Sequence, residues 1–164
     1  MTRYFTHYWT NTTWEEARSQ AGAPIGYLFS NFFRTKSIQA GDEIYVVTNI
    51  RGNIYLLGKH VVGQIGDRES IRRLLGWAAD EMVDDTDHSS ASHATAMDFD
   101  RMIPLEIAKK LQFWSGRRNS RIRSNLAFKT PTIIDQQTLP QVRELTAESA
   151  ALLDDYLQPL IELD

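Results

Sequence analysis

Cysteine is absent from the chain, which excludes disulfide staples, cysteine–zinc sites and thiol nucleophiles. No stretch approaches the roughly eighteen consecutive apolar residues of a membrane span, and the opening MTRYFTHYWT lacks the apolar region of a secretory signal. A cytoplasmic protein without a membrane partner is therefore expected. Neither GxxxxGK followed by Ser or Thr nor GxSxG occurs, so phosphate-loop and serine-hydrolase chemistry lose their support. Internal repeats and linkers are also missing, and 164 residues read as a single domain over positions 1–164.

What is present is unevenly distributed. The chain is 42% hydrophobic and 24% charged with a formal charge of -3, a balance that folds without help. Yet Lys109 to Lys129 holds seven lysines and arginines and no acid, around Trp114, one of four tryptophans with Trp9, Trp14 and Trp77. Cations neutralise phosphates and flat rings stack on bases, so the combination points to nucleic acid. A pI near 5.8 confines any such site to one part of the surface.

Arg3 to Trp9 reads as an opening strand, followed by a short helix capped at Thr12 or Thr13 and ending near Gly22. Gly26 to Lys36 reads as irregular or helical, with Phe29, Phe32 and Phe33 as core. Glu43–Asn49 and Ile54–Ile65 form an antiparallel hairpin bent by a bulge at Gly58. Asp67 caps a helix with Ile71, Leu74 and Leu75 on its apolar stripe, closed by Gly76. Ala79 to His93 reads as an acidic, then polar, loop. A strand over Met97–Ile103 and a helix begun at Pro104 come next. Ser115–Asn125 reads as an exposed loop, Leu126–Ile134 as a last strand and Thr138–Glu144 as a short helical or irregular piece. A terminal helix from Thr146, carrying Ala150, Leu153 and Leu157, runs until Pro159.

The aromatic opening strand, the short capped helix, SNFFRTKSIQAGDEIYVVT and IYLLGKHVV together resemble the PUA-like superfamily, and its EVE-type branch in particular. Asn31, Phe32, Phe33, Arg34, Gly41 and Asp42 carry the match, which covers mainly residues 3 to 65. The resemblance implies an α+β fold, a small mixed and mainly antiparallel β-barrel with surrounding helices, whose pocket accepts a modified or flipped base from DNA or RNA. Such a reader is not catalytic and needs no cofactor; a separate effector nuclease would supply any cleavage. Thr10-Asn11-Thr12 stands where the EVE pattern has Ser-Glu-Pro, which points to a different ligand.

A base pocket needs a ring for stacking and a few placed donors and acceptors. Trp9 and Asn11 supply both, or else serve the core and the cap of the next helix; Trp14 walls a pocket or covers the barrel. Ser30 and Asn31 fall where the resemblance places pocket residues, and an asparagine amide pairs with a base edge. Thr48 or Asn49 offers similar groups beside a turn. Trp77, after a helix-ending glycine, and Trp114, before a basic loop, complete the set. Arg117, Arg118, Arg121 and Arg123, interleaved with Asn and Ser, suit a phosphate grip that Lys109 and Lys110 extend. His88 and His93 with Asp84, Asp85 and Asp87 are metal-ligand types in no recognised spacing, so a solvated loop and no metal are expected. Two rival readings remain: a metal-independent ribonuclease of the related ASCH branch, using Lys59 or Tyr55, and a protein-interaction module.

Overall fold

The computed structural model describes residues 1–78, 82, 87–116, 120–139 and 141–163. The fold is mixed α+β, and its sheet is mainly antiparallel. At its centre, β3 (Glu43–Ile50) and β4 (Asn53–Gly66) form the expected hairpin, and β1 (Tyr4–Tyr8) runs parallel to β3 with Phe5 opposite Ile44. Beyond β1 the sheet continues antiparallel through β10 (Val142–Leu145), β6 (Gln112–Ser115) and β7 (Ile122–Asn125). On the other side β4 pairs with β5 (Asp87–Ala94), whose far edge takes β2 (Tyr27–Ser30) and then β11 (Ile161–Glu162). β8 (Phe128–Thr130) and β9 (Ile133–Ile134) make a separate hairpin. Among the described residues the path from β2 and β11 to β7 does not close. The α+β class and antiparallel character match the expectation; a closed barrel is not formed.

Alternation along the central strands gives each face its own core. Phe5, Ile44, Val46 and Leu57 point to one, which α1 (Asn11–Glu16) covers through Trp14; Tyr45, Val47, Ile54 and Leu56 point to the other. Leu153 of α4 (Ala147–Asp154) and Ala108 of α3 (Leu105–Ala108) close the second. The bulge at Gly58 decides which polar groups face which core. Pairing shifts between Val46 and Val47, so one extra β4 residue is accommodated and the facing of all that follows is reversed. Lys59 thereby joins Tyr45, and His60 turns toward Ile25 and Ser89. A Cβ at Gly58 would lie 2.5 Å from Thr95 Oγ1 and 2.7 Å from Ile25 Cδ1, which is why glycine stands there.

Several segments differ from their sequence reading. The cap of α1 is Thr10, whose Oγ1 accepts from the Thr13 N–H, and not Thr12 or Thr13. Of Gly26–Lys36, read as irregular or helical, the first part forms β2 and the rest an irregular run of turns: Leu28 and Ser30 are buried while Tyr27 and Phe29 stay half-buried, a period of two. Of the residues read as an acidic and polar loop, 87–94 form β5, buried between two neighbours. Partners from other segments meet its polar groups, as Ser89 Oγ lies 2.8 Å from His60 Nε2 and Asp87 forms an ion pair with Arg34 at 2.9 Å. Met97–Ile103 contributes one bridge, from Met102 to Tyr55, and buried side chains, not a strand. The expected loop at Ser115–Asn125 lies partly in the β6–β7 hairpin, where Ser115 and Ser124 hydrogen-bond across the strands at 2.9 Å. Leu126–Ile134 is a hairpin, and Thr138–Glu144 leads into β10. On α2 (Arg68–Leu75) Ile71 is buried but Leu74 is half exposed.

Candidate functional site

Two tryptophans far apart in sequence meet at one cavity. Trp9 follows β1 and is clamped through its backbone: its N–H donates to Val47 O at 2.9 Å, and its carbonyl accepts from Thr48 Oγ1 at 2.7 Å. Thr48 Oγ1 also lies 3.1 Å from Asn11 Oδ1. These contacts hold the entry to α1 and fix where the Trp9 ring projects. Trp77 is delivered by the end of α2. Gly76 adopts the left-handed conformation, its N–H donates to Arg73 O at 3.2 Å and the Trp77 N–H donates to Arg72 O at 3.1 Å, a Schellman ending. Arg72 Nη1 then donates to Trp77 O at 2.8 Å while its guanidinium pairs with Glu69.

Between them stands Tyr27 of β2, edge-on to Trp77 with ring centroids 4.9 Å apart and tilted against Phe29 at 5.7 Å. The Tyr27 hydroxyl lies 2.6 Å from His88 Nδ1, and the two rings stack. Asp87 is anchored by Arg34 through its side chain and its N–H, the latter at 3.0 Å. Trp9, Tyr27, Phe29 and Trp77 thus wall a cavity of about 420 Å³, with Thr13, Glu16 and Gln20 at its polar side. A second space of 270 Å³ adjoins it across Trp9, Thr13 and Phe29, and there Ser30, Asn31, His7 and Gln141 face inward. Ser30 Oγ accepts from the Phe32 N–H at 3.0 Å.

His7 and His60, beneath this side of the sheet, are fully buried. Burial pushes both down to about 4, and in His7 the nearby His60 adds to the shift; His60 is partly supported by its hydrogen bond with Ile25 O. Both are neutral at pH 7. His7 Nδ1 has no hydrogen-bond partner among the described residues.

Trp114 lies elsewhere, on β6, separated from β5 in the sheet order by β4, β3, β1 and β10. Arg121 and Arg123 sit over its ring at 4.6 and 5.0 Å, as expected for cations facing an aromatic quadrupole. Arg3 and Arg121 line two adjoining grooves of 450 and 710 Å³, and Arg123 lines the first of them. Each is already paired: Arg121 with Glu144 at 2.9 Å, Arg123 with Glu148 at 3.6 Å and Arg3 with Glu144 at 3.7 Å. Lys109 is exposed and lies over Phe128 at 5.8 Å; Lys110 is exposed. Arg117 and Arg118 lie outside the described residues.

The sequence candidates therefore divide. Trp9, Trp77, Ser30 and Asn31 line the linked cavities, and Trp114, Arg121 and Arg123 line the grooves. Asn11 borders a separate depression near Gly52 and Ile133, and Thr48 is buried. Trp14 is fully buried in the core, edge-on to Phe99 at 5.4 Å, and lines none of these spaces. Tyr27, Phe29 and Glu16 line the main cavity but were not among the sequence candidates; the period-two pattern of β2 was the signal for the two rings. His88 is buried in β5, Asp84 and Asp85 lie outside the described residues, and no cluster of three metal-ligand types forms among the described ones. Lys59 is held between Glu43 and Asp154, at 3.0 Å from the latter; burial opposes its charge, but these hydrogen bonds outweigh it and raise the ammonium above its ordinary value. Tyr45, which donates to Asp154 at 2.7 Å, is raised by burial and by that carboxylate. Tyr55 is partly buried and bridges to Met102. No described helix is long and apolar enough to cross a membrane. No protein-family model, curated protein or solved structure matches the chain.

Proposed function

We propose that the chain is a nucleic-acid-binding reader that takes a flipped or single-stranded base, modified in its preferred ligand, into the cavity between Trp9 and Trp77. The observation that carries this reading is the cavity itself. Four aromatic residues surround 420 Å³, within the roughly 300–1,000 Å³ of small-molecule sites, and aromatic faces stack any base. The amide of Asn31 in the adjoining space supplies base-edge hydrogen bonding. The resemblance to the PUA-like superfamily and its EVE branch, with its barrel, leads to the same ligand class. On this reading the backbone runs toward the groove of Arg3, Arg121 and Arg123, with Lys109, Lys110, Arg117 and Arg118 extending the basic sequence, and a separate nuclease acts as partner. The ammonium of Lys59, fixed between two carboxylates, favours a reader over an ASCH-type ribonuclease using it as a base.

Fluorescence-detected binding of short single- and double-stranded DNA and RNA, unmodified and base-modified, tests the proposal. Trp77→Ala and Trp9→Ala are each expected to weaken binding by about tenfold or more, from the loss of about 1–3 kcal/mol of stacking. Unchanged affinity in both variants rejects the cavity as the base site, and time-dependent cleavage of RNA by the purified protein rejects the reader.

A further inference from the structure

We infer that the ligand of the Trp9–Trp77 cavity is a positively charged base, one alkylated on a ring nitrogen, with Glu16 as its counter-charge. The inference rests on the reader function proposed above and deepens it. Alkylation of an imine-type ring nitrogen leaves the base with no lone pair to give up and a formal positive charge spread over a flat ring. Such a ring stacks like any other, and it also interacts with the negative faces of surrounding aromatic rings and with a carboxylate.

The lining of the cavity matches that chemistry. Thr13, Glu16, Ala17 and Gln20 recur along α1 and the turn after it at helical spacing, and they present one acid to the aromatic walls. Among the described residues that line it, Glu16 is the one acid, and there is no lysine, arginine or histidine. The arginines on the flanking elements are neutralised elsewhere. Arg18 makes two 3.0 Å hydrogen bonds to Glu15 and one of 3.2 Å to Asp100, and Arg72 is paired with Glu69. Glu16 forms no ion pair among the described residues. A carboxylate beside this cavity repels a phosphodiester and offers a neutral base only a hydrogen-bond acceptor for an amino group or ring N–H. A cationic base uses both the rings and the acid. Trp114 is the internal contrast, because its ring already carries Arg121 and Arg123.

3-Methylcytosine and 5-methylcytosine carry the same methyl group on different ring atoms and only the first is cationic at neutral pH, so the pair controls for the methyl group and Glu16→Gln separates the charge from the lost N3 acceptor. Anisotropy titrations would use short single-stranded DNA and RNA with one central 3-methylcytosine, 5-methylcytosine or unmodified cytosine, with a trimethyllysine peptide as a fourth probe. The 3-methylcytosine oligonucleotide should bind about tenfold tighter than its isomer, the ratio expected from a cation–π contribution of about 0.5–2 kcal/mol. Glu16→Gln, at an exposed position, should cut that ratio several-fold while circular dichroism stays unchanged, and Trp77→Ala should weaken all the oligonucleotides. Equal or tighter binding of 5-methylcytosine, sensitive to Trp77→Ala, overturns the charge assignment and leaves the reader intact. Binding of all oligonucleotides unaffected by Trp77→Ala overturns both. Capture of the trimethyllysine peptide in preference to 3-methylcytosine overturns the assignment of a base as the occupant.

Discussion

The cavity at Trp9 and Trp77 and the groove at Trp114 use the same residue type in opposite ways. In the first, four rings line an open cavity, Tyr27 edge-on to Trp77, with one acid that forms no ion pair among the described residues. In the second, a single ring is overlaid by two guanidiniums, each of which also reaches a glutamate. Two cations of the basic run that dominates the sequence between Lys109 and Lys129, Arg121 and Arg123, are therefore offset in space by Glu144 and Glu148, acids that sequence order places beyond it. Charge counted along a chain is not the charge available on its surface, whereas aromatic rings brought together by a strand, a helix cap and a Schellman ending still line an open cavity.

The two regions should separate most strongly on acidification. His7 and His60 belong to the cavity side of the sheet and are neutral in the fold, with values near 4 against an ordinary 6.5. Their depressed values favour the fold above pH 6.5. Between about 6.5 and 4 the unfolded chain binds protons that the fold excludes, so stability falls as pH falls, with a limit on the order of 3 kcal/mol for each histidine. Urea unfolding at pH 7 and pH 4.5 measures the loss. His7→Phe, which places a second ring beside Phe33, should flatten the dependence by about half; an unchanged slope would show that His7 is not one of the excluded protonation sites.

A smaller effect follows from the bulge that sets up both faces. Gly58→Val adds atoms where a Cβ alone already meets Thr95 and Ile25, and overpacking of this kind costs about 1–3 kcal/mol. The shift in urea midpoint should be accompanied by weaker binding at the aromatic cavity, since Ile25 lines it. If the midpoint does not move, the backbone at the bulge adapts and the steric account is wrong.

Much of this frame was legible in the sequence. Alternation and turn residues identified β1 and the β3–β4 hairpin with its bend at Gly58, while Asp67, Gly76 and Thr146 marked helix ends because side-chain caps and a left-handed glycine are local requirements. What failed was every element whose burial is not apolar. β5 reads DHSSASHA and is buried all the same, since His60, Tyr27 and Arg34 meet its polar groups from other strands and loops. β7 is an edge strand whose Ile122 and Arg123 are both exposed, so its pattern carries no core face. At the site, Trp9 and Trp77 were identifiable from their positions after a strand and after a helix-ending glycine. Tyr27 and Phe29 were not, because Phe29, Phe32 and Phe33 mimic helical spacing; Glu16 was absorbed into a capping box that Thr10 replaces.

If the regions divide labour as their chemistry indicates, base preference and salt dependence should respond to different residues. Arg121→Ala combined with Arg123→Ala should lower the salt slope of binding by about one to two, the share of two phosphate contacts, and leave the ratio between modified and unmodified bases unchanged. Trp77→Ala should do the reverse. Titrations at two salt concentrations give both quantities from one set of samples, and a change of base preference in the arginine variant would merge the two regions into one site.

The weakest expected effect tests the offset charge directly. Glu144 pairs with both Arg121 and Arg3, and such partly exposed pairs are worth only about 0–1 kcal/mol, so a phosphate can displace the carboxylate at little cost. Glu144→Gln removes the competitor while keeping a hydrogen-bonding group of the same size. Affinity for single-stranded nucleic acid at low salt should rise by about two- to threefold, and the gain should vanish at high salt, where released counterions no longer favour binding. A fall in affinity would instead mean that Glu144 orients the two arginines, and that their geometry matters more to the backbone than their net charge.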